Sequence, residues 1–196
     1  MSENTASIKW LRYLFYIHIA ILVATLVSWL PIQDLWITWL KRILLIGTAL
    51  CLSQLTLKNS HYGKAALFCI IRIACLLTSS LLFSSPFIIL AGAVFSILAV
   101  YQEYHAHAQT VEEKDPVLSH KWARFFGWAL LVEVLVSFVS SVLSVATAML
   151  HWDILNITHF VMAVQSVPGL FVDVFYLIYM NRTVRLLEAE EGDFYG

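Results

Sequence analysis

The chain has 196 residues, of which 60 % are hydrophobic and only 13 % are charged, and its formal net charge is −1. In soluble domains about a quarter of the residues are charged, so this composition excludes an ordinary soluble domain and indicates a membrane protein with several spans. The lack of a basic excess argues against a nucleic-acid partner.

A helix that crosses the bilayer needs about 20 predominantly apolar residues, because the hydrocarbon layer is about 30 Å thick. Six segments meet or approach this length, so the sequence predicts an all-α bundle of six transmembrane helices in a single integral membrane domain. The predicted spans cover about residues 10–30, 37–57, 64–83, 87–108, 125–150 and 160–180. Lys41 and Arg42 interrupt the start of the second span, so residues 31–42 either cross the membrane or lie on its surface. Residues 181–196 are predicted to be an acidic C-terminal tail, and its last part, EAEEGDFYG at 188–196, is predicted to be disordered.

Basic residues and tryptophans indicate how these spans are oriented. Lys and Arg accumulate in the cytoplasmic loops of membrane proteins, and Trp is enriched at both membrane–water interfaces. With the N-terminus inside, nine Lys and Arg residues fall on the inner side, two on the outer side and one, Arg72, within a span. All seven Trp residues lie near predicted span ends. The sequence therefore predicts cytoplasmic termini in the lipid bilayer of a cell membrane, taken here as a bacterial inner membrane.

Several polar residues lie at similar depth inside the predicted spans. Arg72, Glu133 and Asp173 each cost about 2.5–3.5 kcal/mol in the membrane centre, so each needs a partner inside the bundle. With a rise of 1.5 Å per residue, these three lie roughly 12–14 Å from the inner boundary, and His18 lies at roughly 9 Å. Gln165 shares a helix face with Asp173. The sequence predicts that these five residues form one intramembrane polar network.

Two interpretations of this network remain open. In the first, Arg72 neutralises Glu133 or Asp173, and the charges only hold the bundle together. In the second, one arginine cannot neutralise two carboxylates, and the remaining negative charge selects a cation or carries a proton, as intramembrane carboxylates often do.

The stretch YQEYHAHAQTVEEKDP at residues 101–116 offers a candidate metal site. If the fourth helix continues past residue 101, Glu103 and His107 are four residues apart and share a face, whereas His105 points elsewhere. This pair could supply two metal ligands and His120 a third, although no HExxH motif is present. The alternative is a helix end at the inner surface, with Glu103 facing the bundle. The cysteines show no CxxC spacing, and no cofactor is predicted.

The leading functional hypothesis is a small transporter or channel-like protein that handles a cation, a proton or a small polar solute. An enzyme is disfavoured because no GxSxG motif is present, and a lipid-phase enzyme would require Glu103, His107 and His120 to converge. The alternative is a non-catalytic membrane subunit that binds a partner protein or a lipid, or that forms a homo-oligomer. Its docking face would then be the small-residue stripe Ser140, Ser144 and Ala148.

The first predicted span also contains Ala20-x-x-x-Ala24, a spacing that lets membrane helices approach closely. In this motif, and in its size, six spans and inside termini, the chain resembles the substrate-binding subunits of energy-coupling-factor vitamin transporters. The resemblance implies a solute-binding membrane subunit that docks on partner membrane proteins. It implies no site residues, because no vitamin-binding signature is present in the sequence.

Overall fold

A computed structural model describes residues 3–28, 34–81, 85–150 and 154–193. In the fifth and sixth helices the side chains of Glu133 and of most residues between 137 and 166 are not among those described. The described residues form six α-helices and no strand: α1 (Glu3–Val27), α2 (Asp34–Gln54), α3 (Ser60–Leu81), α4 (Pro86–Val111), α5 (Pro116–Leu150) and α6 (Ile154–Asp193). A short 3₁₀ helix, Leu55–Leu57, follows α2.

Four segments are long and apolar enough to cross a membrane, namely Thr5–Val27, Trp36–Leu57, Ser60–Leu81 and Pro86–Val111. Their outward faces carry large hydrophobic side chains such as Ile43, Leu90 and Phe87, which suit contact with lipid. The α2 helix continues through Lys41 and Arg42 without a break. The prediction of an all-helical chain of membrane type is therefore confirmed.

Two helix boundaries differ from those predicted. The hydrophilic stretch between the fourth and fifth predicted spans is mostly helical, because α4 reaches Val111 and α5 already begins at Pro116. Proline suits the first helical position, where its missing N–H has no partner to lose. The side chain of Asp115 accepts a hydrogen bond from the N–H of Leu118 at 2.9 Å. This bond and the nearby guanidinium of Arg182 hold the pKa of Asp115 below its ordinary value.

The prediction for the acidic tail also differs from the structure, because residues 188–193, which were predicted to be disordered, belong to α6. Helix α6 continues to Asp193, well beyond the predicted span end near residue 180. The reason is tertiary packing: Val184 and Leu187 are buried in the core, and three residues apart they share one helix face. Glu188 adds an ion pair with Arg12 of α1 at 2.6 Å. These contacts hold the part of α6 that leads directly into the acidic residues.

The six helices form a closed ring in chain order. Each helix packs against the next, and α6 packs against α1. Short connections make neighbouring helices antiparallel. The start of α1 and the end of α6 therefore lie at the same end of the ring, which we call the terminal end. The opposite end, where α1 meets α2 and α3 meets α4, is called the distal end.

The terminal end is filled by a hydrophobic core to which all six helices contribute. We call this cluster the terminal core. Its largest members are aromatic or long side chains: Trp122, Tyr62, Tyr104, Phe125, Tyr176, Leu118 and Met180. Because the terminal core fills this end, the cavity between the helices lies in the distal part of the ring.

Candidate functional site

A cavity of about 490 Å³ lies inside the ring, directly distal to the terminal core. Helices α1, α2, α3, α4 and α6 contribute to its wall. Glu103, Tyr104 and Tyr176 lie at its floor, against the terminal core, while Lys41 and Arg42 lie near the distal start of α2. The floor is therefore acidic and aromatic, and the distal wall is basic.

The cavity brings together three of the five residues predicted to form the polar network. His18, Arg72 and Asp173 all line it, although they come from three different helices. The matched depths read from the sequence explain this result, since side chains at one height can meet across a ring. Glu133 and Gln165 belong to α5 and α6, but their side chains lie outside those that the structure describes.

The predicted ion pair between Arg72 and Asp173 is not formed. Both residues line the cavity, yet no ion pair joins them among the described side chains. A pairing of Arg72 with Glu133 lies beyond the described side chains. What the described side chains show is that Arg72 and Asp173 both line the cavity.

The balance of charge around the cavity also differs from the prediction. The described lining carries three basic side chains, Lys41, Arg42 and Arg72, against two carboxylates, Glu103 and Asp173. The expected excess of acid is thus not seen in the described part of the wall. The reason is that α2 begins seven residues before Lys41, which carries both basic residues into the ring instead of leaving them in an outer loop.

Both distal basic residues are held by hydroxyl groups of neighbouring helix ends. Lys41 Nζ donates a hydrogen bond to Ser28 Oγ at 3.4 Å, and Arg42 Nη2 donates to Ser80 Oγ at 2.7 Å. The guanidinium of Arg42 also lies over the ring of Trp39, at 4.8 Å from its centre. Neither of these contacts neutralises the positive charge.

Glu103 marks the floor of the cavity and is only 5 % exposed. Its Oε1 accepts a hydrogen bond from the hydroxyl of Tyr176 at 2.5 Å. The Tyr176 ring stacks on the imidazole of His18, with ring centres 4.2 Å apart. The structure thus supports the alternative interpretation of residues 101–116, in which Glu103 faces the bundle.

A buried polar chain leads from Glu103 into the terminal core. His107 is fully buried, and its Nε2 lies 3.7 Å from Glu103 Oε1 and 3.5 Å from the Tyr176 hydroxyl. Its other ring nitrogen, Nδ1, lies 2.8 Å from the hydroxyl of Tyr62. The Tyr62 hydroxyl lies 3.4 Å from Thr110 Oγ1. Four groups thus form a continuous polar path along the inner face of α4.

The predicted metal set of Glu103, His107 and His120 does not come together. His120 is exposed on α5, whereas the other two residues are buried. The inward positions of this α5 turn are taken by Leu118 and Trp122, four residues apart, so the histidine between them faces outward. In the described part of the chain, no three His, Cys, Asp or Glu side chains converge as metal ligands. This prediction is wrong.

The cavity floor and the buried polar chain behind it contain residues that the sequence did not identify as functional. Tyr62 is 45 residues away from its partner His107, and no local pattern links them. The only sequence signal is the face Tyr62, Ala65, Ala66 and Cys69, all of which are buried at helical spacing. Tyr176 was visible as a neighbour of Asp173 on one face of the sixth predicted span.

Of the predicted docking faces, the structure describes only the Ala20-x-x-x-Ala24 motif of α1. Ala24 is 3 % exposed, so the Ala20-x-x-x-Ala24 motif points partly into the ring and serves its internal packing. The side chains of Ser140, Ser144 and Ala148 lie outside those described.

No known family matches the sequence, and no curated protein or solved structure matches it either.

Proposed function

We propose that this chain is a six-span membrane transporter that binds a small polar solute in the cavity of its helix ring. The single observation that carries the proposal is the cavity itself. It is enclosed by helices of membrane type, lined by basic and acidic side chains, and closed at one end by the terminal core. A solute can therefore be held inside the ring while the terminal end stays shut.

The energetic cost of the lining supports this function. Each ionisable side chain at membrane depth costs about 2.5–3.5 kcal/mol on insertion scales, and such residues usually mark solute or ion pathways. A purely structural interior would be filled with small and apolar side chains instead. Arg72 and Asp173, which share the cavity without an ion pair among the described residues, are the clearest candidates for solute contacts.

The charges favour a solute that is not a bare cation. The described lining has one more basic residue than acidic residues, so a simple metal cation would meet a net positive wall. A zwitterionic solute suits this wall better, with its negative group toward Arg72 and Lys41 and its positive group toward Asp173 or Glu103. A bacterial inner-membrane protein with both termini in the cytoplasm would then bind this solute from the outside.

The six-span arrangement follows from the ring. Helices α5 and α6, of 35 and 40 residues, pack between α4 and α1, which are both of spanning type. Their contact with spanning neighbours along the ring favours two further spans. The excess of basic residues at the terminal end then favours a cytoplasmic terminal end.

Cysteine labelling tests this orientation. In a chain whose native cysteines are replaced by alanine, Lys41→Cys should react with a membrane-impermeant maleimide in intact cells, because Lys41 lies near the distal start of α2, which faces outward in the proposed orientation. Lys114→Cys, in the exposed turn between α4 and α5, should react only after the cells are permeabilised. Labelling of Lys114→Cys in intact cells would reverse the proposed orientation.

Thermal unfolding of the detergent-solubilised protein tests solute binding. The probes are the common amino acids, betaine, lactate and the chlorides of sodium and potassium. A probe at about 100 times its dissociation constant stabilises the folded state by about 2.7 kcal/mol. For a chain of this size that corresponds to a rise in Tm of roughly 5–10 °C. We expect a zwitterionic probe to produce this rise.

The variants decide where the probe binds. Arg72→Ala and Asp173→Ala should each abolish the rise in Tm, whereas Arg185→Ala should retain it. Arg185 is a matched control because it is exposed on the terminal part of α6, away from the cavity. An equal rise in Arg72→Ala, or no rise with any probe, would rule out the cavity as the binding site for these solutes.

A further inference from the structure

We infer that Glu103, His107, Tyr62 and Thr110 form a proton path between the cavity and the terminal end of the ring, so that solute binding is coupled to proton movement. This inference rests on the proposed transport function and extends it. It adds a driving ion to the solute and assigns a role to four residues of α3 and α4. It also gives a use to a histidine and a carboxylate that are costly to bury in a membrane.

The position of the path suits this role. Glu103 lines the cavity, so one end of the path meets the solute space. Thr110 is only half-buried and lies next to Val111, where α4 ends. Seven residues of helix separate them, a distance of roughly 10 Å along the axis. The path therefore crosses the terminal core, which otherwise separates the cavity from the terminal side.

The transfer can be written with balanced protons. A proton from the cavity binds the Glu103 carboxylate, and the acid passes it to His107 Nε2 when that imidazole carries its hydrogen on Nδ1. The Nδ1–H bond then breaks as its proton moves to the Tyr62 oxygen. Tyr62 releases its own hydroxyl proton to Thr110 Oγ1, which releases one to water at the terminal side. A half-turn of the imidazole ring, which exchanges the positions of Nδ1 and Nε2, then restores the first tautomer without returning a proton along the path.

The distances allow the proton transfers themselves with small motions, and the half-turn of the buried His107 ring is the larger movement. The Nδ1 to Tyr62 contact of 2.8 Å is already a hydrogen bond, and the Tyr62 to Thr110 contact of 3.4 Å is a long one. The Glu103 to Nε2 distance of 3.7 Å must shorten by roughly 0.5–1 Å for direct transfer. Thr110 now donates to a backbone carbonyl of its own helix at 2.7 Å, so its hydroxyl must rotate to release a proton.

Charged groups on the surrounding helices connect this path to the solute. Titratable or charged groups face Glu103 or His107 from several helices in the described part of the ring. They are His18 of α1, Lys41 of α2, Tyr62, Cys69 and Arg72 of α3, Tyr104 of α4, and Asp173 and Tyr176 of α6. From α5 the described neighbour is Trp122, whose ring lies 4.7 Å from that of His107. A negative group of the solute beside Arg72 would offset its positive charge. Proton uptake by Glu103 would then accompany solute binding.

The same four groups could instead serve only to stabilise the terminal core. Buried polar networks whose members are all hydrogen-bonded do rigidify a core. A structural role predicts that removal of the Tyr62 hydroxyl changes stability but no proton flux. Proton flux is therefore the measurement that separates the two roles.

The test uses purified protein in liposomes that contain the pH-sensitive dye pyranine, with the common amino acids at equal concentrations on both sides. A potassium gradient and valinomycin set an inside-negative potential, and dye fluorescence reports proton entry. We expect the wild-type protein to admit protons at least tenfold faster than protein-free liposomes. Tyr62→Phe and Thr110→Val should each lower the protein-dependent rate about tenfold or more. Tyr101→Phe, at an exposed position on α4, the helix of Thr110, should leave the protein-dependent rate unchanged.

Each outcome decides the proposal. A wild-type rate equal to that of protein-free liposomes overturns it, as does an unchanged rate in both Tyr62→Phe and Thr110→Val. Two variants are used so that a folding defect in one, seen as aggregation on gel filtration, does not decide the result. If proton flux fails while a solute still raises Tm through Arg72 and Asp173, the proton path is wrong and the transport proposal stands. If a flux that depends on Tyr62 and Thr110 is present but no solute raises Tm, the proton path stands, while the proposed solute binding and its coupling to proton movement are overturned.

Discussion

Replacing Trp122 with alanine should lower the free energy of unfolding by about 3 kcal/mol, which would make it one of the most damaging single substitutions in the chain. Trp122 is fully buried at the centre of the terminal core. Its ring lies 4.7 Å from that of His107 and 5.5 Å from those of Tyr104 and Tyr176. Its Nε1 donates a hydrogen bond to Thr183 of α6 at 3.0 Å. The substitution therefore removes contacts among three helices and leaves a hydroxyl without its donor.

The expected loss in the free energy of unfolding follows from the surroundings of Trp122. Deletion of a buried Trp side chain costs about 3–5 kcal/mol in soluble proteins, where loss of burial from water and the new cavity both contribute. Within a membrane protein the burial contribution is smaller, because lipid is also apolar, so the lower end of the range applies. Titration of the micelle-bound protein with a denaturing detergent measures the loss.

Trp128→Ala is the matched control for this prediction. Trp128 lies six residues later on the same helix and is 66 % exposed on the outside of the ring. Trp128→Ala removes the same side-chain atoms as Trp122→Ala but opens no cavity. We therefore expect it to lower the free energy of unfolding by well below 1 kcal/mol. Equal losses for the two substitutions would contradict a packed terminal core around Trp122.

The helices were the easiest part of this structure to predict from the sequence. Their number and approximate positions follow from apolar length, since the bilayer thickness sets how long each segment must be. Their ends were harder, because these depend on contacts that composition does not show. The Asp115–Pro116 pair is a local start signal that places the beginning of α5. By contrast, α6 continues past residue 180 because Val184 and Leu187 meet a core built by other helices.

The depth of the polar residues in the membrane could be predicted from the sequence, but the full set of residues that line the cavity could not. Helical rise alone placed His18, Arg72 and Asp173 at similar height, and the structure places all three on one cavity. Lys41 was missed because charge counting assigned it to the outer loop. Whether a residue near a helix start faces the ring or the lipid depends on the rotation of that helix. Neighbouring helices set this rotation, and the sequence of α2 alone does not encode it.

The polar path shows where local spacing succeeds and where it ends. A separation of four residues placed Glu103 and His107 on one helix face, and the structure holds them 3.7 Å apart. The same spacing rule says nothing about His120, which follows a turn and belongs to another helix. The partner that His107 does have, Tyr62, comes from α3 through the packing of α3 on α4. Such pairings are set by tertiary structure.

The packing of α3 on α4 carries the second large expected effect, at Gly92. A side-chain carbon built on Gly92 would lie 3.3 Å from Cys75 Cβ of α3, closer than ordinary packing allows. Gly92→Leu should therefore force the two helices apart and cost about 1–3 kcal/mol of stability. Gly127 provides the opposite case, because a carbon added there meets nothing within 4 Å. Gly127→Leu should raise stability by up to about 1 kcal/mol through helix propensity.

The two substitutions should change stability in opposite directions although helix propensity acts equally at both sites. The difference between them therefore measures the contact of α3 with α4. Gly92 also lines a second cavity of about 270 Å³, whose wall includes Arg72. Separation of α3 from α4 would move Arg72 and Tyr62 of one helix away from Glu103 and His107 of the other. Gly92→Leu should thus lose the solute-dependent rise in Tm and the proton flux together, while Gly127→Leu keeps both. A stable Gly92→Leu protein with normal solute binding would show that α3 and α4 need not approach closely for function.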